Sequence, residues 1–231
     1  MPAEVRQQQS LKNVIDKCQS NQSRYLPMTA HANAKPLGRQ AQRLETRQRV
    51  FDAAMAEFRR SGVADADIGE IISTAGVARG TFYFHFPTKE HVLEEVERNL
   101  VTRLAGDVGR FVSSEPELWS TLSEVVRLVV AAESRLGARL FRDVLALHFS
   151  QTRPPGFGKP TDHPLVALVA GEIERARQQG EVRTEADAVN SALFFLLGFY
   201  ALLVTIHDSK PARARVLDEF VASTRRGLEA R

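Results

Sequence analysis

The chain has 231 residues, is 43% hydrophobic and carries a formal net charge of only +3, which suits a folded protein with a sizeable core and argues against a disordered polyelectrolyte. Its single cysteine, Cys18, cannot close an intramolecular disulfide, and nothing suggests a cysteine-rich metal site, so we expect a cytoplasmic protein without metal or cofactor. The first thirty residues lack the continuous apolar stretch of a secretory signal, and residues 1–50 hold nine Lys/Arg against three Asp/Glu, the asymmetry of an end that meets an anion.

Residues 1–44 show no sustained helical period, and Pro36, Gly38 and alternating small and basic residues read as a flexible basic arm. Within it a short helix over 11–18 is allowed by the shared face of Leu11, Val14, Ile15 and Cys18. From residue 45 helical signals succeed one another without strand-like alternation, so the predicted fold class is all-α. The first strong helix, 45–60, gathers Val50, Ala54 and Phe58 with Phe51 and Met55 on one side and stops at Ser61-Gly62. Asp67 with Glu70 forms a capping box for a second helix over 68–74, Ala75-Gly76-Val77 interrupts it, and a third helix follows over 78–85. Thr88 caps a long fourth helix over 89–112. Five more helices are expected over 116–132, 135–150, 164–179, 185–207 and 211–229, with Pro116, Pro164 and Pro211 near their starts, and 151–163 reads as a surface loop. The domains expected are the arm at 1–44, a small helical domain at 45–91 and a larger helical domain at 92–231.

Two short helices joined by a glycine turn, with a helix before and after, form a helix-turn-helix. The second must enter a major groove about 12 Å wide with its first residues at base edges. Arg79 can bond guanine through two N–H groups, Gly80 lets the backbone approach, and Thr81 offers a hydroxyl and a methyl. Val77, Phe82 and Phe86 would anchor the opposite side on Ile68, Ile71 and Phe58. Tyr83 and His85 project toward the groove edges, where phosphate is the nearer partner, with packing against the first helix and capping of the helix end as their respective alternatives. Lys89 stands at a helix N-terminus, where an anion is favoured and a bare cation is not.

The run GVARGTFYFHFPTKEHVL, residues 76–93, closely resembles the signature of the TetR family of repressors, and 47–58 resembles that family's first helix. The resemblance implies a helix-turn-helix regulator that grips a double-stranded operator as a homodimer and lets go when a small molecule binds. It assigns DNA contact to Arg79, Gly80, Thr81, Tyr83, His85 and Lys89, with Asp67 and Thr88 near phosphates. One departure is Ala66-Asp67, where the family usually has Thr or Ser; an acidic cap repels phosphate, and the basic arm with Lys35, Arg39, Arg43, Arg47 and Arg49 is expected to compensate along a groove or backbone.

In the C-terminal region the segment 192–206 is apolar almost all round, but its fifteen residues fall short of the roughly 20 of a bilayer span. It is therefore expected to be a buried helix with no membrane partner. The resemblance implies an effector pocket among helices four to eight, for which Trp119, Phe141, His148, Phe149, Phe195 and Phe199 are the candidates, suited to a lipophilic ligand. It further implies a four-helix dimer bundle from helices eight and nine, with Leu193, Leu196, Leu197, Leu217, Phe220 and Val221 as interface candidates. Effector binding would move helix four, with Gly106 and Gly109 as its weak points. The rivals are an enzyme and an architectural DNA binder without an effector. No G-x-S-x-G, P-loop or H-E-x-x-H occurs, and PPGFGKP lacks phosphate-loop spacing, so no enzymatic activity is expected.

Overall fold

A computed structural model describes residues 38–148, 162–206 and 209–230; the expected helix over 11–18, the body of the 151–163 loop and Phe149 lie outside them. The described chain is helical throughout: α1 (Arg39–Ser61), α2 (Ile68–Ala75), α3 (Arg79–His85), α4 (Lys89–Val112), α5 (Leu118–Leu136), α6 (Ala138–His148), α7 (Pro164–Gln178), α8 (Ala188–Thr205) and α9 (Lys210–Leu228). The bounds of α4 coincide with those read from the sequence.

The chain divides into two compact units, one holding the described residues 38–98 and 133–148, the other 99–132 and 162–230. In the first, Val50, Phe58, Ile71, Phe82 and Phe86 are buried together. α1 starts six residues before the expected position, inside the stretch read as arm. Gln42, Arg43 and Leu44 are exposed, so this extension has no apolar face to announce it; good helix formers simply continue the stable helix backward. Residues 133–148, expected with the C-terminal domain, group with this unit. Asp143 accepts the Val63 N–H at 3.4 Å and Arg139 pairs with Asp65 at 3.3 Å, tying α6 to the α1–α2 turn. Gly62, which ends α1 at φ 79°, lies under Arg139: a Cβ there would fall 2.3 Å from Cζ.

In the second unit α7 and α8 make the most extensive packing, with Val169, Ile173, Phe195 and Phe199 buried. Asp187 caps α8 through the Asn190 N–H at 2.7 Å, satisfying a donor that the first turn leaves open. α9 crosses α8 closely at Gly198, where an added Cβ would lie 3.0 Å from the Phe220 ring; that ring stacks on Phe195 at 5.6 Å. α8 is shorter at both ends than the expected 185–207, though it begins four residues before the apolar segment 192–206. With 18 residues and a mean hydropathy of 1.9 it meets the length and composition of a membrane span, a test that the core helix of a soluble protein also passes.

Candidate nucleic-acid interface

The α2–α3 segment is positioned by local chemistry at every joint. Asp67 Oδ1 accepts the Gly69 N–H at 2.6 Å and so caps α2. α2 ends on Gly76 at φ 62°, and Val77 N–H returns to Ile72 O at 3.3 Å, the double-bonded stop that a left-handed residue permits. The turn therefore needs Gly76, since a side chain would strain a positive φ. Beneath Asp67, buried Glu57 accepts the Asp67 N–H at 3.2 Å and pairs with Arg60 at 2.5 Å. Its carboxyl is held below the ordinary 4.5 by the Arg60 hydrogen bond first and the Asp67 backbone second, which keeps it an acceptor.

α3 has two faces of opposite character. Phe82 and Phe86 are wholly buried, while Arg79, Gly80, Tyr83 and Phe84 are exposed and Thr81 half-buried. The exposed face carries two ring–guanidinium pairs: Arg79 Cζ lies 5.8 Å from the Tyr83 centroid, and Arg43 Cζ, from α1, lies 4.8 Å over Phe84. Tyr83 also packs its ring edge-on against Phe82 at 5.3 Å. Phe84 is 63% exposed. Sequence reasoning passed over Phe84 and singled out Arg43 only as part of the arm. The signal for the ring was a bulky aromatic placed between the two residues chosen as groove-facing.

Three residues expected to face DNA are engaged inside the unit instead. His85, expected at the groove edge, is only 8% exposed; burial first, then the charges of Arg47 and Arg43, hold its pKa below the ordinary 6.5 and so disfavour the cation that phosphate would need. Arg47, expected among the DNA contacts, donates to His85 O at 2.6 Å, pairs with Glu95 and lies 4.1 Å over the Phe86 ring; the carbonyl at the end of α3 has drawn it inward. Lys89, expected to await an anion, donates to Ala64 O at 2.8 Å and Ala66 O at 3.4 Å. Thr88 is exposed and meets His91 Nδ1 at 3.0 Å, while Asp67 caps α2.

The C-terminal candidates separate in the same way. Phe141, Phe195 and Phe199 are buried, and Trp119 is half-buried with Arg225 Cζ 5.6 Å from its ring. Phe141 belongs to the unit of α1–α3, while Trp119, Phe195 and Phe199 belong to the other. The His148 side chain and Phe149 lie outside what is described. Of the interface candidates, Leu196 and Leu217 are buried within the chain's own unit, Leu193, Phe220 and Val221 are partly exposed, and Leu197 is 41% exposed. Phe194, at 72%, stands further out, and Val216 on α9 is 39% exposed; Phe194 was absent from that set because on a helix apolar all round periodicity does not say which side is outer.

Comparison with known proteins centres on the same segment. The family model for bacterial regulatory proteins of the tetR family matches residues 50–96. The HTH-type transcriptional regulator SrpR of Pseudomonas putida is 50% identical over 52 residues, 22% of this chain and 24% of that protein. The regulator AcrR of Shigella flexneri is 42% identical over 52 residues, with the same coverage. The chain thus matches about a quarter of the length of these curated relatives. Among solved structures, Thermus thermophilus FadR, a TetR-family transcriptional repressor in complex with lauroyl-CoA, is similar with a TM-score of 0.60 and 25% identity over 78% of this chain and 91% of that one.

Proposed function

The chain belongs to the TetR family of bacterial transcriptional regulators through residues 50–96, and from that premise we propose that it is a ligand-responsive repressor that binds a pseudo-palindromic operator as a homodimer. The observation that carries this reading is the outer face of α3. A Cβ at Gly80 would meet nothing within 4 Å, and glycine within a helix costs up to about 1 kcal/mol relative to alanine. The missing side chain thus relieves no crowding inside the chain; what it leaves room for is a backbone approaching from outside. Arg79 and Thr81 flank that gap with a two-pronged donor and a hydroxyl–methyl pair, the groups that read base edges.

A second copy is supported by the outward Phe194 and Leu197 on α8 and Val216 on α9, large apolar groups that water disfavours. An isologous pair built on such a face presents two reading helices to two half-sites, whose expected separation is about 34 to 36 Å. For the effector, the lauroyl-CoA of FadR makes a long acyl thioester the first compound to try, in keeping with the lipophilic ligand that the sequence suggested.

The test uses the duplex that the protein itself enriches from a randomised library. A protected site of about 20 base pairs is expected. Arg79→Ala should weaken binding to that site by about 1 to 3 kcal/mol and relax base preference. Unchanged affinity and preference in that variant would remove α3 as the reading helix. Release of the duplex by lauroyl-CoA or another lipophilic compound separates a sensor from an architectural DNA binder, which would hold on regardless.

A further inference from the structure

Lys89 and His85 were expected near phosphate beside α3 and Arg47 with the basic arm, and each is engaged within the unit. A basic–aromatic surface stands next to them. Phe84 projects from α3 one residue beyond Tyr83, and Arg43 reaches it from the N-terminal turns of α1, a part of the helix that lies before the family match at 50–96. We propose that Arg43 and Phe84 form a clamp for the phosphate backbone of duplex DNA, flanking the bases read by Arg79 and Thr81. The proposal rests on the reading of α3 as the DNA-facing helix.

The physics favours this pair over a lone surface arginine. A guanidinium laid over a ring keeps its N–H edges free to meet phosphate oxygens while the ring holds its plane, so little side-chain freedom remains to be lost on binding. The neighbouring Arg79–Tyr83 pair repeats the arrangement on the same helix. Along α1, Arg39, Arg43 and Arg47 follow at intervals of four and so share one face. The first turn of α1 contains no acidic residue, and Glu45 lies two residues past Arg43, on a different side of the helix. Leu44 and Phe84, 60% and 63% exposed, add apolar surface that the sugar edge of a nucleotide can cover. A polyanion with a regularly spaced backbone complements this surface in charge and in kind.

The experiment measures affinity for the enriched duplex and for an unrelated duplex across a salt series, with wild type, Arg43→Ala, Arg43→Lys, Phe84→Leu and the Arg43→Ala/Phe84→Leu double variant. Urea unfolding is followed alongside; both residues are exposed, and unchanged midpoints are expected. Arg43→Ala should lower affinity for both duplexes by about five- to tenfold at ~0.1 M salt and flatten the logarithmic salt slope by about 0.9. Phe84→Leu should cause a similar loss, and the double variant should lose little more than either single one, because the two act as a unit. Arg43→Lys should restore the slope and only part of the affinity. Wild-type affinity and slope in Arg43→Ala, with Arg79→Ala still losing base preference, would overturn the clamp and leave the reading helix in place. Strictly additive losses in the double variant would overturn the pairing of ring and guanidinium. Failure of wild type to bind any duplex would remove both proposals together, as would selective binding of anionic phospholipid vesicles instead.

Discussion

The unit of α1–α3 and the pair α8–α9 hold themselves together in opposite ways. Around α3, charged side chains turn inward: Arg47 and Lys89 end on backbone carbonyls of a neighbouring segment, and Glu57 receives the Asp67 N–H. Around α8, Phe195 and Phe199 are buried and stack with each other and, for Phe195, with Phe220, while Phe194 and Leu197 face outward. Residue type thus misleads about side in both regions. Short helices bury too little apolar surface to fix their own orientation, so cations hold them through carbonyls that the helix ends leave unpaired. A long apolar helix has more hydrophobic surface than its own unit can cover, and the remainder is available to another copy.

The strongest way to break this contrast is to exchange the two kinds of leucine and phenylalanine on α8. Leu196 is 2% exposed, so Leu196→Ala should lower folding stability by about 2 to 5 kcal/mol, read from urea unfolding, through lost burial and the cavity left behind. Phe194→Glu should leave helix content unchanged and shift the sedimentation profile from dimer toward monomer. Unimpaired self-association of Phe194→Glu would show that the outward face serves something other than a second copy.

Lys89 tests the contrast from the charged side, with a smaller effect. Lys89→Met keeps the aliphatic stem and removes the donor to Ala64 and Ala66, so stability should fall by about 1 to 2 kcal/mol. The salt slope for DNA should stay where it was, since this ammonium is held by the Ala64 and Ala66 carbonyls. A slope flatter by about one unit would return Lys89 to the groove edge where its sequence position had put it.

The reason sequence reading missed the carbonyl partners of Lys89 lies in separation along the chain. Its acceptors stand 25 and 23 residues upstream, and no local pattern records which carbonyls the fold will bring within reach. Features set by neighbours three or four residues away were legible: the cap at Asp67, the turn at Gly76, the bounds of α4, and the split of α3 into buried Phe82 and Phe86 against exposed Arg79 and Gly80. The early start of α1 was hidden for a related reason. Residues 39–44 carry no buried face, so they display none of the apolar period by which helices are found. On α8 the helix itself was plain, but its outer side was not, because every side is apolar.

His85 offers the gentlest test, and it concerns pH. Its ring is buried beside Phe84, 5.1 Å between centroids, and sits in the field of Arg47 and Arg43. Burial and those two charges hold its folded pKa below the ordinary 6.5, so near that pH the unfolded chain binds more protons at this site than the folded one. Stability must then decline as pH falls below about 6.5, and the decline ends once the pH has passed the lower, folded value. Most carboxylates titrate well below this window, which leaves the imidazole as a separable contributor. Urea unfolding of the wild type between pH 7.5 and about 5.5 should show the decline, and His85→Gln, which cannot take up the proton, should flatten it. A steeper decline in His85→Gln than in wild type would mean that the imidazolium is favoured in the folded chain, and a cation would then stand beside α3 after all.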